Sequence, residues 1–109
     1  MTTTYKVLGQ MATTANTLAT VYTVPSATQS VLSTVTICNI NNANANVRLA
    51  VCPANATTEN KHYVIYDNQL RNNDTLTLTL GVTLATTDTV RAYANLANVS
   101  VNVFGSEIS

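Results

Sequence analysis

The stretch "DTLTLTLG" at Asp74–Gly81 alternates leucine and threonine with a period of two. In an extended strand, Leu76, Leu78 and Leu80 would point to one side, and the threonines between them would point to the other. One apolar and one polar face are typical of an antiparallel sheet whose outer side meets water. The stretch therefore predicts a half-buried β-strand.

The same alternation recurs along the chain and defines further predicted strands. In "SVLSTVTICN" at 30–39, Val31, Ser33, Val35 and Ile37 would share one face. The other predicted strands are "TYKVLGQ" (4–10), "TLATVYTVP" (17–25), "NVRLAVC" (46–52), "KHYVIYD" (61–67), "TVRAYAN" (89–95) and "NVSVNVFG" (98–105). Segments rich in Asn, Asp and Thr separate these runs, and such residues favour turns.

About eight short strands without a sustained helical period predict an all-β protein, a single antiparallel β-sandwich spanning residues 1–109. The pattern leaves the topology open between a jelly roll and an immunoglobulin-like arrangement. The absence of Trp argues against an antibody-type domain. The predicted core consists of Val35, Ile37, Leu49, Val51, Leu76, Leu78, Val101 and Val103.

The chain carries few charges, and they cancel. Only 9% of residues are charged, and five cations balance five anions, whereas typical domains have about 25% charged residues. Zero net charge favours neither nucleic acid nor an anionic membrane as a partner. A weakly charged surface is poorly protected from self-association. We therefore expect packing against copies of the chain or a larger assembly, the alternative being a monomer solvated by Thr and Asn.

The amino-terminal stretch "MTTTYKVLGQ" lacks a basic segment followed by an apolar core. We therefore expect no secretory signal, and synthesis in a cytoplasm. No apolar run approaches the ~20 residues needed to span a bilayer.

Cys38 and Cys52 flank the loop "NINNANAN". If that loop is a hairpin centred near Ala43, Cys38 faces Arg48 and Cys52 faces Thr34, so we expect two free thiols rather than a disulfide. Two cysteines and one histidine do not complete a four-ligand zinc site. The glycines stand alone rather than in a phosphate-binding loop. We expect no metal and no cofactor.

The segment "NKHYVIYD" at Asn60–Asp67 holds the single histidine and is the densest cluster of reactive side chains. On a strand, His62 and Tyr66 would point away from the face that carries Asp67. Catalysis needs a nucleophile and a base within hydrogen-bond reach, and this pattern brings none together. We therefore expect a structural strand and no enzymatic activity, with His62 or Tyr66 available for a contact between subunits.

Several short segments resemble a family of small β-rich virion structural proteins from tailed bacteriophages, cyanophages among them. The segments are "YKVLGQ" (5–10), "YTVP" (22–25), "KHY" (61–63), "LTLGVTLATTDTV" (78–90) and "FGSEI" (104–108). The resemblance implies a non-enzymatic building block of a virion, made in the host cytoplasm. Such a subunit would decorate or cement the capsid, or attach to the neck or tail. The alternative is a receptor- or carbohydrate-binding module of a fibre or baseplate.

The expected partners are copies of the chain and other virion proteins, such as the major capsid or tail proteins, with no nucleic acid, membrane or small-molecule substrate. An open sandwich has edge strands that neighbours can cover. We expect the terminal strands, Tyr5–Gln10 and Val99–Gly105, to form such edges. The predicted contact residues are Tyr5, Val7, His62, Tyr66, Val103 and Phe104.

Overall fold

A computed structural model describes residues 2–109. The strands are β1 (Thr3–Ala12), β2 (Ala19–Thr23), β3 (Gln29–Asn39), β4 (Ala45–Cys52), β5 (Tyr63–Leu70), β6 (Thr75–Leu84), β7 (Thr89–Ala94) and β8 (Val99–Ile108). Two 3₁₀ turns, Pro53–Asn55 and Asn60–His62, lie between β4 and β5. Within residues 2–109, no helix has the length and apolar character needed to cross a membrane.

The chain folds as one long hairpin that is then rolled up. β1 pairs with β8, β2 with β7, β3 with β6 and β4 with β5, always antiparallel. Rolling adds the pairs β3–β8 and β4–β7. The result is a front sheet in the order β1-β8-β3-β6 and a back sheet in the order β2-β7-β4-β5. This confirms the predicted antiparallel β-sandwich, and its topology is that of a jelly roll.

The jelly roll separates elements that the sequence placed together. β3 and β4 belong to different sheets, so the condition considered for the cysteines, a hairpin that sets Cys38 opposite Arg48, is not met. A loop that crosses from one sheet to the other, as between β3 and β4, gives the same local turn signals as a hairpin. Cys38 is half-buried, Cys52 is buried, and both are free.

The core lies between the two sheets. Of the residues predicted for it, Val35, Ile37, Leu49, Val101 and Val103 are fully buried. The other three, Val51, Leu76 and Leu78, are half-buried and pack against this cluster. The two leucines belong to β6, which is an edge strand with no neighbour beyond it in the front sheet.

A register shift at Ser33 changes which residues of β3 face the core. The pairing of β3 with β8 shifts between Leu32 and Thr34, so one extra residue reverses the alternation at that point. Leu32 is therefore fully buried, and Val31 faces outward. The expectation that Val31 and Val35 share a face is wrong, because a period of two does not reveal a bulge.

β8 is not an edge strand, so the expectation that both terminal strands form edges is wrong for β8. It is hydrogen-bonded to β1 on one side and to β3 on the other. The edges of the two sheets are β1, β6, β2 and β5. Sequence order does not give spatial order in a jelly roll, because rolling places the last strand beside both the first and the third.

Candidate interaction surfaces

The predicted contact residues fall on three different parts of the domain. Three of them lie together on the outer face of the front sheet, and one lies on the back sheet. The remaining two are buried, with exposed fractions of 8% for His62 and 0% for Val103. Val103 points into the core, and its side chain has no exposed surface in the single chain. The accessible residues are Tyr5, Val7, Phe104 and Tyr66.

An apolar patch, formed by Tyr5, Val7, Val31 and Phe104, occupies one half of the outer face of the front sheet. Val7 lies directly opposite Phe104, and Tyr5 and Val31 flank Ser106 from either side. Tyr5 is 84% exposed and Val7 is 46% exposed. The patch borders a shallow groove of about 410 Å³. Sequence reasoning missed Val31, because it depends on the register shift at Ser33.

The other half of the outer face of the front sheet is polar but uncharged. Gln10 donates a 2.8 Å hydrogen bond from its Nε2 to Oδ1 of Asn102, and Thr36 and Thr77 continue the same row across the sheet. The charged residues of these four strands are Lys6 and Glu107, and their side chains form a 2.9 Å ion pair with each other. Glu107 also contacts the opposite sheet, so this pair lies on the inner side. By strand register, no charged side chain points out from the outer face, although Lys6 also lines the groove beside the apolar patch.

A cation–π stack marks the outer face of the back sheet. The guanidinium of Arg48 lies between two tyrosine rings, 4.2 Å from the centroid of Tyr66 and 4.3 Å from that of Tyr93. Arg48 also donates two hydrogen bonds to the carboxylate of Asp67, of 2.6 and 3.2 Å. These hydrogen bonds lower the pKa of Asp67 and raise that of Arg48. The stack holds the ring of Tyr66 in place, and the charge of Arg48 is paired with Asp67 of the same chain.

His62 has a structural role in the turn before β5. The strand begins at Tyr63, and Asn60–His62 forms a 3₁₀ turn instead of the predicted start of the strand. Nδ1 of His62 accepts a 2.9 Å hydrogen bond from the backbone N–H of Glu59, and the backbone N–H of His62 donates to the carbonyl of Glu59. The imidazole thus caps its own turn, because a chain reversal here leaves the Glu59 N–H without a strand partner.

A buried polar network joins the two sheets at the end of the sandwich near the apolar patch. The hydroxyl of Tyr22 donates to Oε2 of Glu107 at 2.6 Å, and it lies 2.6 Å from Oγ of Ser30. Burial, followed by the hydrogen bond to Glu107, raises the pKa of Tyr22 to about 12. The hydrogen bonds from Tyr22 and then Lys6 lower the pKa of Glu107. The alternation pattern gave no signal for this network, since its members come from four strands.

Metal-ligating side chains are dispersed over the domain. Across residues 2–109, no group of three or more His, Cys, Asp or Glu side chains could hold a metal ion. The thiol of Cys52 lies 3.4 Å from the hydroxyl of Thr58. The surfaces with a distinctive chemistry are thus the uncharged front face and the tyrosine–arginine stack on the back face.

Comparison with known proteins finds a likeness in fold rather than in sequence. No protein-family model matches the chain, and no curated protein matches it. A chain in the crystal structure of the T13 viral particle of infectious bursal disease virus, an icosahedral virus, aligns with a TM-score of 0.52 and 11% identity over 97% of this chain. A chain in the structure of the Gx strain of infectious bursal disease virus aligns with a TM-score of 0.51 and 9% identity, again over 97% of this chain.

This domain spans only part of those viral chains, 29% of the first and 32% of the second. At such low identity, the likeness shows a common fold and does not transfer individual residues. The fold and its surfaces define the class of the protein: a jelly-roll domain with one uncharged outer face.

Proposed function

We propose that this domain is a non-catalytic structural subunit of a virus particle, and that it packs against neighbouring virion proteins through the outer face of the front sheet. The observation that carries the proposal is the absence of charge across that face among the described residues. Lys6 and Glu107, the charged residues of its strands, bind each other on the inner side. The jelly-roll fold shared with two chains of an icosahedral virus supports the viral context.

Burying this face against a partner costs little in desolvation. An ionised group taken out of water without a partner is costly, and hydroxyl and amide groups can form new hydrogen bonds across an interface. The apolar patch adds a favourable term of about 25 cal/mol for each Å² of apolar area buried. Contacts of this kind are only weakly sensitive to salt, because no exposed ion pairs are involved.

More specifically, we propose that the particle is that of a tailed bacteriophage. The segments "YKVLGQ" and "FGSEI" that resemble small phage virion proteins lie on β1 and β8, beside each other in the front sheet. The subunit would decorate or cement the capsid, or attach to the neck or tail. Its partners would be copies of itself and the major capsid or tail proteins, and it would be made in the host cytoplasm.

Locating the protein in an electron-microscopy map of purified particles tests the role directly. The expected map places the front sheet against a neighbouring protein, at the head, the neck or the tail. Particles assembled with Val7→Lys should incorporate less of the subunit, since the substitution sets a charge in the apolar patch. Asn68→Lys adds the same charge to an exposed position on the back sheet and should leave incorporation unchanged. A protein absent from purified particles, or bound through the back sheet, would contradict the proposal.

A receptor- or carbohydrate-binding module is the second candidate, and the tyrosines of the back sheet favour it. Tyr66 is 57% exposed, and its ring meets that of Tyr63 edge to face at 4.9 Å between centroids. Together with Asn60 they line a shallow pocket of about 430 Å³. One exposed and one half-buried aromatic ring beside an amide suit the apolar face and hydroxyls of a neutral sugar.

A nuclear magnetic resonance titration with neutral oligosaccharides separates the two functions. Saturable shifts confined to Asn60, Tyr63 and Tyr66, and lost in Tyr66→Ala, would favour the binding module. Tyr5→Ala is the matched control, because it removes an exposed tyrosine from the other sheet. No saturable shift with any oligosaccharide would leave the structural role as the better account of the surface.

A further inference from the structure

Three of the four edge strands carry features that hinder pairing with another strand. On β1, Lys6 adds a charge, and the register shifts between Val7 and Gly9. β2 has only five residues, and β1 covers its flank, because a side chain at Gly9 would collide with the carbonyl of Val21. On β5, Asp67 has a positive φ of 51°, and the pairing with β4 shifts twice.

β6 lacks these features along most of its length. The chain has no charged residue and no proline from Thr75 to Thr87. The pairing of β6 with β3 is regular from Thr75 to Thr79, and its irregularity lies between Thr79 and Val82. The segment "TLTLTL" at Thr75–Leu80 thus presents a flat, uncharged edge of high β-propensity. Such segments readily pair with another strand.

The side chains on the inner side of β6 also lack full cover. Leu76 and Leu78 lie opposite Ile37 and Val35 of β3, which are fully buried, yet both leucines are only half-buried. Leu80 is half-buried in the same way. The front sheet therefore ends in a row of leucines whose outer side faces solvent. The missing neighbour of this row would be another apolar strand.

From the bare edge and the half-buried leucines we infer that β6 pairs antiparallel with β6 of a second copy of this chain, about a two-fold axis perpendicular to the front sheet. An antiparallel pair of identical strands is self-complementary under such an axis. The axis sets threonines opposite threonines on the outer face and leucines opposite leucines on the inner face. Cross-strand Thr–Thr and apolar pairs are favourable, and no charge meets a like charge.

The size of the contact suits a specific dimer. Antiparallel pairing over Thr75–Leu80 supplies about six backbone hydrogen bonds, within the roughly 5–15 of a typical interface. The two leucine rows then continue one another and cover each other's open side. The assembly stops at two copies, because pairing consumes β6 and the opposite edge of the front sheet, β1, carries Lys6 and a register shift.

The dimer would carry one continuous front sheet of eight strands with an uncharged outer face. This pairing belongs to the isolated chain and does not depend on the role in a virus particle. Its test uses purified protein alone, so it can fail while the proposed function stands, and the reverse also holds.

The test is analytical ultracentrifugation of the purified chain over a range of micromolar concentrations. Several registers of the β6–β6 pair keep threonine opposite threonine. In each of them, the double variant Thr77→Lys/Thr79→Lys brings the new lysines of one copy close to those of the other. We expect the dissociation constant of the dimer to rise at least about tenfold. Both threonines are exposed, so the circular dichroism spectrum and the thermal midpoint of the monomer should be retained.

The charge-matched control is Thr3→Lys/Gln10→Lys, on the opposite edge of the same outer face. It should dimerise like the wild type, whereas face-to-face stacking of two front sheets would be weakened by both double variants. Amide hydrogen exchange adds a second measure: β6 amides should gain protection as concentration rises, and β1 amides should not. A wild type that stays monomeric, equal effects of the two variants, or concentration-independent exchange in β6 would each overturn the inference.

Discussion

The hydroxyl of Tyr22 on β2 donates a 2.6 Å hydrogen bond to Oε2 of Glu107 on β8, and so joins the back sheet to the front sheet. The other carboxylate oxygen of Glu107 lies 2.9 Å from Nζ of Lys6. At this end of the sandwich, polar contacts therefore link the two sheets. Since its two acidic groups have shifted pKa values of opposite sign, the network should be visible at both ends of the pH range.

On the acid side, the free energy of unfolding should depend on Glu107. Its pKa is lowered in the folded state by the hydrogen bonds from Tyr22 and Lys6. The resulting stabilisation is present above the unfolded pKa of about 4.3 and is lost as pH falls through the lower folded value. Urea titrations at neutral and acidic pH should therefore show a smaller loss of stability for Glu107→Gln than for the wild type.

The control for the acid prediction is Asp74→Asn, which removes a carboxylate from an exposed turn before β6. Because Asp74 lies outside the network of Tyr22, Lys6 and Glu107, this variant should not reproduce the effect of Glu107→Gln. Parallel curves for the wild type and Glu107→Gln would show that the carboxylate does not support the folded state.

On the alkaline side, the free energy of unfolding should depend on Tyr22. Its folded pKa of about 12 exceeds the unfolded value of about 10. The neutral phenol therefore contributes stability that is complete below pH of about 10 and is lost as pH rises toward the folded pKa. Ultraviolet titration should show a late-ionising phenol that is missing in Tyr22→Phe and retained in Tyr5→Phe. A wild type without a transition that Tyr22→Phe removes near pH of about 12 would contradict the network.

The sequence predicted the strands well because alternation is local. "DTLTLTLG" became β6 with Leu76, Leu78 and Leu80 inward, and the fold class is confirmed. Features that depend on a partner strand could not be predicted from local alternation. The shift at Ser33 that turns Val31 outward, and the central position of β8, both follow from strand pairing across long sequence distances.

For the candidate surfaces, too, the sequence indicated some of the residues but not the contacts between them. Tyr5, Val7 and Phe104 could be selected from their apolar character, and the structure places them on one face. His62 and Val103 are buried, which their residue types did not indicate, since exposure is set by what packs over a side chain. The stack of Arg48 between Tyr66 and Tyr93 brings together residues from three strands. Their spacing in the sequence does not predict this contact.

The inner and outer faces of the front sheet should respond differently to truncation. Ile37→Ala removes a fully buried side chain and should cost about 2–5 kcal/mol. Leu78→Ala should cost less, about 1–2 kcal/mol, because its side chain is half-buried and the site can be filled by solvent. Thr77→Ala, on the exposed face, should change stability by no more than ~0.5 kcal/mol. Urea titrations giving equal losses for Leu78→Ala and Thr77→Ala would contradict the assignment of faces.

Two glycines of the front sheet should differ sharply in their tolerance of a methyl group. At Gly105 a Cβ atom would collide with the carbonyl oxygen of Val31, beside the register shift at Ser33. Because that oxygen belongs to the backbone of the central strand β3, relief would require the two strands to move apart, and we expect Gly105→Ala to cost at least about 1–3 kcal/mol. At Gly81 an added Cβ meets no atom within 4 Å, and its φ is not positive, so Gly81→Ala should be neutral or stabilising by up to about 1 kcal/mol through the unfolded chain. Thermal and urea unfolding of the two variants side by side measures the difference. Equal stability of the two would mean that β3 and β8 do not approach as closely at Gly105 as this register requires.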